Sequence, residues 1–213
     1  FCMVSALALF TSQWWEMKGP ELQKTRAKIP SLGFLIATVA VVIGQLILGA
    51  IMRHTHSGMA VPDFPLAYGQ LFPSLAPDDL AEYNEVLIRT DIRLYADGPI
   101  TAGQIAVHIL HRYWAVVVAG FLIITCLKLW KLGGIHWLYR VLSSLLTAAL
   151  VTQAILGAYV VLSRRSEIIA TAHQSLGALI LMITVIALLS VLRLRMPVAS
   201  SSGVYFRLER AKI

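Results

Sequence analysis

The chain has 213 residues, 58% of them hydrophobic and only 14% charged, with a mean hydropathy of +0.74. A soluble domain carries about 25% charged residues. The apolar residues also gather in runs of span length, so the composition points to a membrane protein and away from a soluble enzyme. The net charge of +7 then reports orientation in the membrane and implies no nucleic acid partner.

The chain opens in an apolar stretch, Phe1 to Trp15. That stretch falls short of the roughly 20 residues a span needs and lacks the basic segment and cleavage site of a signal peptide. It reads as the tail of a preceding transmembrane helix, and residues 16–30 as a cytoplasmic linker. Four full spans follow, at Ser31–Met52, Ala102–Trp130, Trp137–Ser163 and Glu167–Leu192. Residues 31–192 are therefore expected to form a four-span bundle with an outer loop at 53–101, followed by a cytoplasmic tail at 193–213. Trp14, Trp15, Trp130, Trp137 and Tyr139 sit at span ends, as an aromatic belt does.

Basic residues set the orientation. Lys18, Lys24, Arg26 and Lys28 precede the first full span; Lys128, Lys131 and Arg140 flank the second turn; Arg193, Arg195, Arg207, Arg210 and Lys212 follow the last span. All lie on one side, taken as cytoplasmic. Most of the acids fall in the long loop, which places that loop outside and both termini of the four-span unit inside. Within the loop, Asp78 to Tyr95 carries apolar residues at helical spacing after Pro77 and before Gly98, the pattern of an amphipathic helix.

A short repeat links the spans. Gln45–Ala50 reads QLILGA and Gln153–Ala158 reads QAILGA. Each lies on a span running outward, and each is followed by a returning span with a histidine near its start. The expected architecture is thus all-α, a transmembrane four-helix bundle built from two similar helical hairpins, plus part of a preceding helix. Cys2 and Cys126 both lie in apolar runs, so no disulfide framework or CxxC site is encoded.

Histidines inside spans are costly and mark function. His111 lies about nine residues into its span and His173 about six; at about 1.5 Å per residue both come roughly 10 Å below the outer surface. Two imidazoles at one level suit a macrocycle held between helices, with one nitrogen on each face of its iron. The alternative is a pair of histidines satisfied by backbone carbonyls. His108 lies one turn from His111 on the same face; two nitrogens alone make a poor metal site, so it reads as a neighbour of the macrocycle edge. Arg112 and Arg53 could each meet an anionic propionate or reach the interface. His136 reads as an interface residue in its turn. In the stretch MRHTHSGMAVPDFPL (residues 52–66), His54 and His56 stand about 10 Å above the level of His111. That stretch reads as a lid, with Arg53, His54 or His56 as contacts and with Met59, Val61, Phe64 and Leu66 folded back onto apolar surface.

Three segments together, GAIMRHTHSGMAVPDFPLAYGQLFP, HILHR and QAILGAYVVLS…TAHQSLGAL, resemble the heme A synthase family, from about Ile36 to Leu189. The resemblance implies an eight-span protein of two similar four-helix halves that oxidises the C8 methyl group of heme O to a formyl group, making heme A for cytochrome oxidases. It also implies that this chain is the second half, which binds heme b as cofactor. In the family, a glutamate three residues before the first histidine marks the substrate-binding half; here that position is His108. By the same resemblance, His111 and His173 are the axial ligands of heme b, and heme O belongs to the upstream half. Some members carry two cysteines in the first half's loop; the matching positions here are Val61 and Ala67.

The implied partners are membrane lipid, the upstream four-helix half, a heme O-supplying enzyme and the assembly of cytochrome oxidase. The implied location is the bacterial plasma membrane. A bis-histidine iron has no open position, so this half is expected to relay electrons and to carry no catalytic residue. Two other readings stand beside it: a b-type cytochrome subunit passing electrons to another partner, and a structural subunit of a respiratory complex.

Overall fold

A backbone that leaves water must satisfy its own polar groups, and helical bonding does so within one segment. The computed structural model, which describes residues 2–12, 15, 29–90 and 98–195, follows that rule. Its described helices are α1 (Cys2–Phe10), α2 (Leu32–His54), α3 (Pro77–Arg89), α4 (Ala102–Leu132), α5 (Trp137–Leu162) and α6 (Glu167–Arg195). Among the described residues there is no strand beyond one isolated bridge, Ala67 to Gln70. Four helices (α2, α4, α5 and α6) are long and apolar enough to cross a membrane, so the expected all-α four-span protein is what the chain forms. α6 runs on past Leu192 to Arg195. Most of the expected linker (16–30) and tail (193–213) lies outside the described residues, as do residues 91–97, the far part of the amphipathic stretch.

The helix starts follow local chemistry. Thr101 and Gln104 form a capping box on α4, each side chain bonding the other's backbone N–H. The ring Nδ1 of His136 accepts the Leu138 N–H at 3.2 Å, so this histidine caps α5. Pro77 opens α3 and places Asp78 and Asp79 in its first turn, where the helix dipole favours negative charge.

The four long helices pack as a ring in the order α2, α4, α5, α6 and back to α2, with α1 against α6. α4 and α6 therefore stand diagonally opposite, as do α2 and α5. The end bearing the long loop is called here the loop end. At the opposite end the interior is filled: Leu35, Leu122, Leu129, Tyr139, Leu146 and Val191 are among its fully buried side chains. Several polar groups there are paired, although the buried Ser190 hydroxyl has no partner. Tyr139 Oη donates to the Ser190 carbonyl at 3.1 Å, Ser143 Oγ to the Cys126 carbonyl at 2.8 Å, and the Thr38 and Thr125 hydroxyls meet at 3.3 Å. This end is a rigid base on which the loop end stands.

Candidate cofactor site

The loop end is built differently. In α2 no residue after Val42 is buried, in α4 none between His108 and Val118, in α5 none between Ala149 and Val161, and in α6 none before Gly177. Protein interiors are normally close-packed. Here Gln45, His111, Gln153 and His173 are only half-buried, among half-buried apolar residues such as Leu46 and Trp114.

The two span histidines lie in that zone. His111 comes from α4 and His173 from α6, the diagonal pair, and the two imidazoles are within electrostatic reach of each other. Each is held by the neighbouring helix that runs toward the loop end. Gln45 Nε2 lies 3.3 Å from His111 Nδ1 and 3.2 Å from its Nε2, and donates to the His111 carbonyl at 3.2 Å. Gln153 Nε2 lies 3.4 Å from His173 Nε2. One turn further on, a glycine makes room for each ring: a Cβ on Gly49 would stand 3.3 Å from His111 Cε1, and one on Gly157 3.1 Å from His173 Cε1. Gln and Gly four residues apart share one helix face. The repeated QLILGA and QAILGA segments are thus two copies of one histidine seat. Sequence reasoning found the repeat but not the role of Gln45, Gln153, Gly49 or Gly157; the Gln-x-x-x-Gly spacing was the available signal.

Over this zone lies the long loop, organised around two charged residues. Arg112 donates to the carbonyls of Leu66, Val61 and Asp63 at 3.0, 3.1 and 2.8 Å, and lies over the Phe64 ring at 5.8 Å. The Asp63 carboxylate accepts the backbone N–H of Tyr68 at 2.8 Å and of Gly69 at 2.9 Å. Tyr68 donates its hydroxyl to the Ala60 carbonyl at 2.7 Å and stacks on Tyr83 of α3 at 3.8 Å. Burial, reinforced by the Asp63 carboxylate, pushes the Tyr68 phenol well above its ordinary range. Tyr113 of α4 adds a hydrogen bond from its hydroxyl to the Leu71 carbonyl. Met59 and Val61 are buried as expected, but Phe64 and Leu66 remain 46% and 38% exposed. Phe64 instead lies beneath the Arg112 guanidinium at the surface of the cap.

The remaining candidates occupy distinct places. His108 is buried against the backbone of Ser57, with Nδ1 lacking a partner. Arg53 donates to the Gln174 side chain at 2.9 Å, tying the end of α2 to α6. His54 and His56 are exposed at the rim; His56 takes a left-handed backbone with φ 54°. Arg164 and Arg165, absent from the sequence-based set, form the α5–α6 turn at the same rim, with φ 53° and 64°. The Cδ of Arg165 comes within 3.8 Å of where a Cβ on Gly58 would stand.

The residues present fit a heme. Two imidazoles approach from opposite helices, each backed by a glycine. His173 Nδ1 and the carbonyl oxygens of Gln45 and Gln153 are buried without partners, as groups awaiting a ligand-bound arrangement would be. Among the described residues no three His, Cys, Asp or Glu side chains converge on a bare metal ion, so the donor set is one of paired imidazoles.

Fold and site together define a class: a multi-pass helical membrane protein with paired imidazoles between two like hairpins. The profile of the COX15-CtaA family, described as "Cytochrome oxidase assembly protein", matches residues 1–185. The chain belongs to that family, the family of the heme A synthases. It is 28% identical over 188 residues to the heme A synthase of Novosphingobium aromaticivorans, covering 84% of this chain and 48% of that one. To the heme A synthase of Sphingopyxis alaskensis it is 26% identical over 156 residues, covering 73% and 39%. The chain thus spans less than half the length of either relative. No solved structure matches it significantly.

Proposed function

We propose that this chain is the heme b-binding half of a heme A synthase, with His111 and His173 as the axial ligands. The observation that carries the reading is the duplicated seat: the same Gln and Gly, on two like hairpins, each hold one half-buried imidazole toward the loop end of the bundle. A bound heme b would supply one-electron chemistry at that level of the membrane. The chain's own residues hold its ligands, exclude water through the loop cap, and offer Arg53 and the rim histidines to its anionic edge. Arg112 spends its donors on loop carbonyls, so its contribution is to shape the cap. With both ligand positions taken by imidazole, this half suits electron relay, while oxidation of the heme O methyl falls to the upstream half.

The charge pattern supports a loop end facing outward, and the two bacterial relatives support a bacterial plasma-membrane location. The family match supports a working unit with an upstream half, in contact with the heme O-supplying enzyme and the oxidase under assembly. The test is spectroscopic. The chain purified in detergent from heme-replete cells is expected to show a reduced low-spin b-type spectrum, lost in both His111→Ala and His173→Ala. A wild-type spectrum in either variant would remove that residue from the ligand set.

A further inference from the structure

The two glutamines of the repeat are the least explained polar groups in the bundle. Each sits inside a membrane span, where a side-chain amide is costly unless bonded. Each brings its Nε2 to a histidine, yet leaves its carbonyl oxygen buried and unpartnered. That the same half-satisfied amide occurs twice, at equivalent positions of two hairpins, argues against accident. A half-turn of the amide about its last torsion exchanges N–H for C=O, so either glutamine can present an acceptor to the ring it already touches.

An imidazole that ligates iron through one nitrogen carries its proton on the other, and that N–H needs an acceptor. On α4 and α6 the side chain that reaches each ring comes from a neighbouring helix. Gln45 is the side chain within reach of both His111 ring nitrogens, and Gln153 the one within reach of His173. The glycines Gly49 and Gly157 bring each ring edge close enough for this contact.

We propose that Gln45 and Gln153 are matched positioning residues: each accepts the N–H of its histidine's non-ligating nitrogen, fixing the ring's tautomer and rotation and raising its donor strength toward iron. This rests on the heme-binding reading above. The consequence is electronic. An accepted N–H makes the imidazole a stronger donor, which favours ferric iron and lowers the reduction potential. Because both seats carry the device, the two ligands are tuned alike.

The test is redox titration and electron paramagnetic resonance of the full purified chain, wild type beside Gln45→Leu, Gln153→Leu, Gln45→Glu and Gln153→Glu. Each Leu variant is expected to keep the low-spin spectrum but to show a raised midpoint potential and an altered spread of g values, as the ring loses its fixed orientation. Each Glu variant, a stronger acceptor, is expected to lower the midpoint. Leu variants with wild-type potential and g values would overturn the proposal while leaving the ligand assignment standing. If a Leu variant loses heme, its Glu counterpart is expected to retain it; loss in both would equally overturn the proposal. A wild-type chain without bound heme would remove the heme reading and this inference together.

Discussion

Replacing Gly157 with alanine adds one methyl group at the tightest point of the site. The new Cβ would stand 3.1 Å from His173 Cε1, against roughly 3.5–4.0 Å for a relaxed carbon contact, so the ring must retreat by about 0.5 Å. It is not free to do so while Gln153 holds it from the same helix. Overpacking of this kind costs about 1–3 kcal/mol; the better helix propensity of alanine acts on folding with or without heme and does not offset it. Borne by the ligand ring, that cost corresponds to heme binding weakened by about 5- to 150-fold. Gly49→Ala, with its Cβ at 3.3 Å from His111, should behave likewise but more mildly. Gly120→Ala in α4 is the control: nothing lies within 4 Å of its Cβ, so it should bind heme as the wild type does. Heme titration of the apoprotein, followed by difference absorbance, measures all three. Equal affinities for Gly157→Ala and Gly120→Ala would refute the idea that the repeat's glycines are seats for the imidazoles.

Arg112→Ala removes three guanidinium bonds to loop carbonyls; at about 1.5–3 kcal/mol for a bond to a charged group, the cap should loosen by at least about 2 kcal/mol, seen as faster hydrogen exchange at the Tyr68 and Gly69 amides. Tyr68 has its pKa raised above the ordinary value of 10.0 by burial and by Asp63, so its neutral form stabilises the folded cap at full strength below that value. As pH rises past it, the unfolded phenol ionises first and the contribution declines; spectrophotometric titration should show one late-ionising tyrosine, absent in Tyr68→Phe. Thr101→Ala breaks the α4 capping box and should cost about 1 kcal/mol in thermal unfolding. Thr38→Val should cost less than that, because Thr125 keeps its bond to the Phe121 carbonyl at 2.9 Å when its partner is gone.

How much of this was legible beforehand differs from residue to residue. The spans could be read because twenty apolar residues leave the backbone no option but a helix, and the start of the loop helix was visible at Pro77. The amphipathic helix of the loop was visible through Tyr83 and Leu87, which are the residues it buries. Arg112 was harder: its sequence neighbourhood offers a membrane-embedded cation beside a histidine, and an anion is the obvious partner. The structure gives it three carbonyls brought from residues 61 to 66, a partnership between segments about fifty positions apart that no local pattern encodes.

The sequence by itself determined that this is a membrane protein of four full spans, that its two hairpins share a design, and that His111 and His173 each lie in the first three turns of a returning span. Those properties depend on composition, length and spacing, which a linear chain carries directly. Only the tertiary structure decided which helix faces which. It set α4 and α6 diagonally, so that each histidine is backed by a different helix running toward the loop end. It also turned the repeated Gln and Gly from a motif into two seats. That pairing depends on helix order around the ring and on closest approaches of a few ångströms, and neither is written in any single segment.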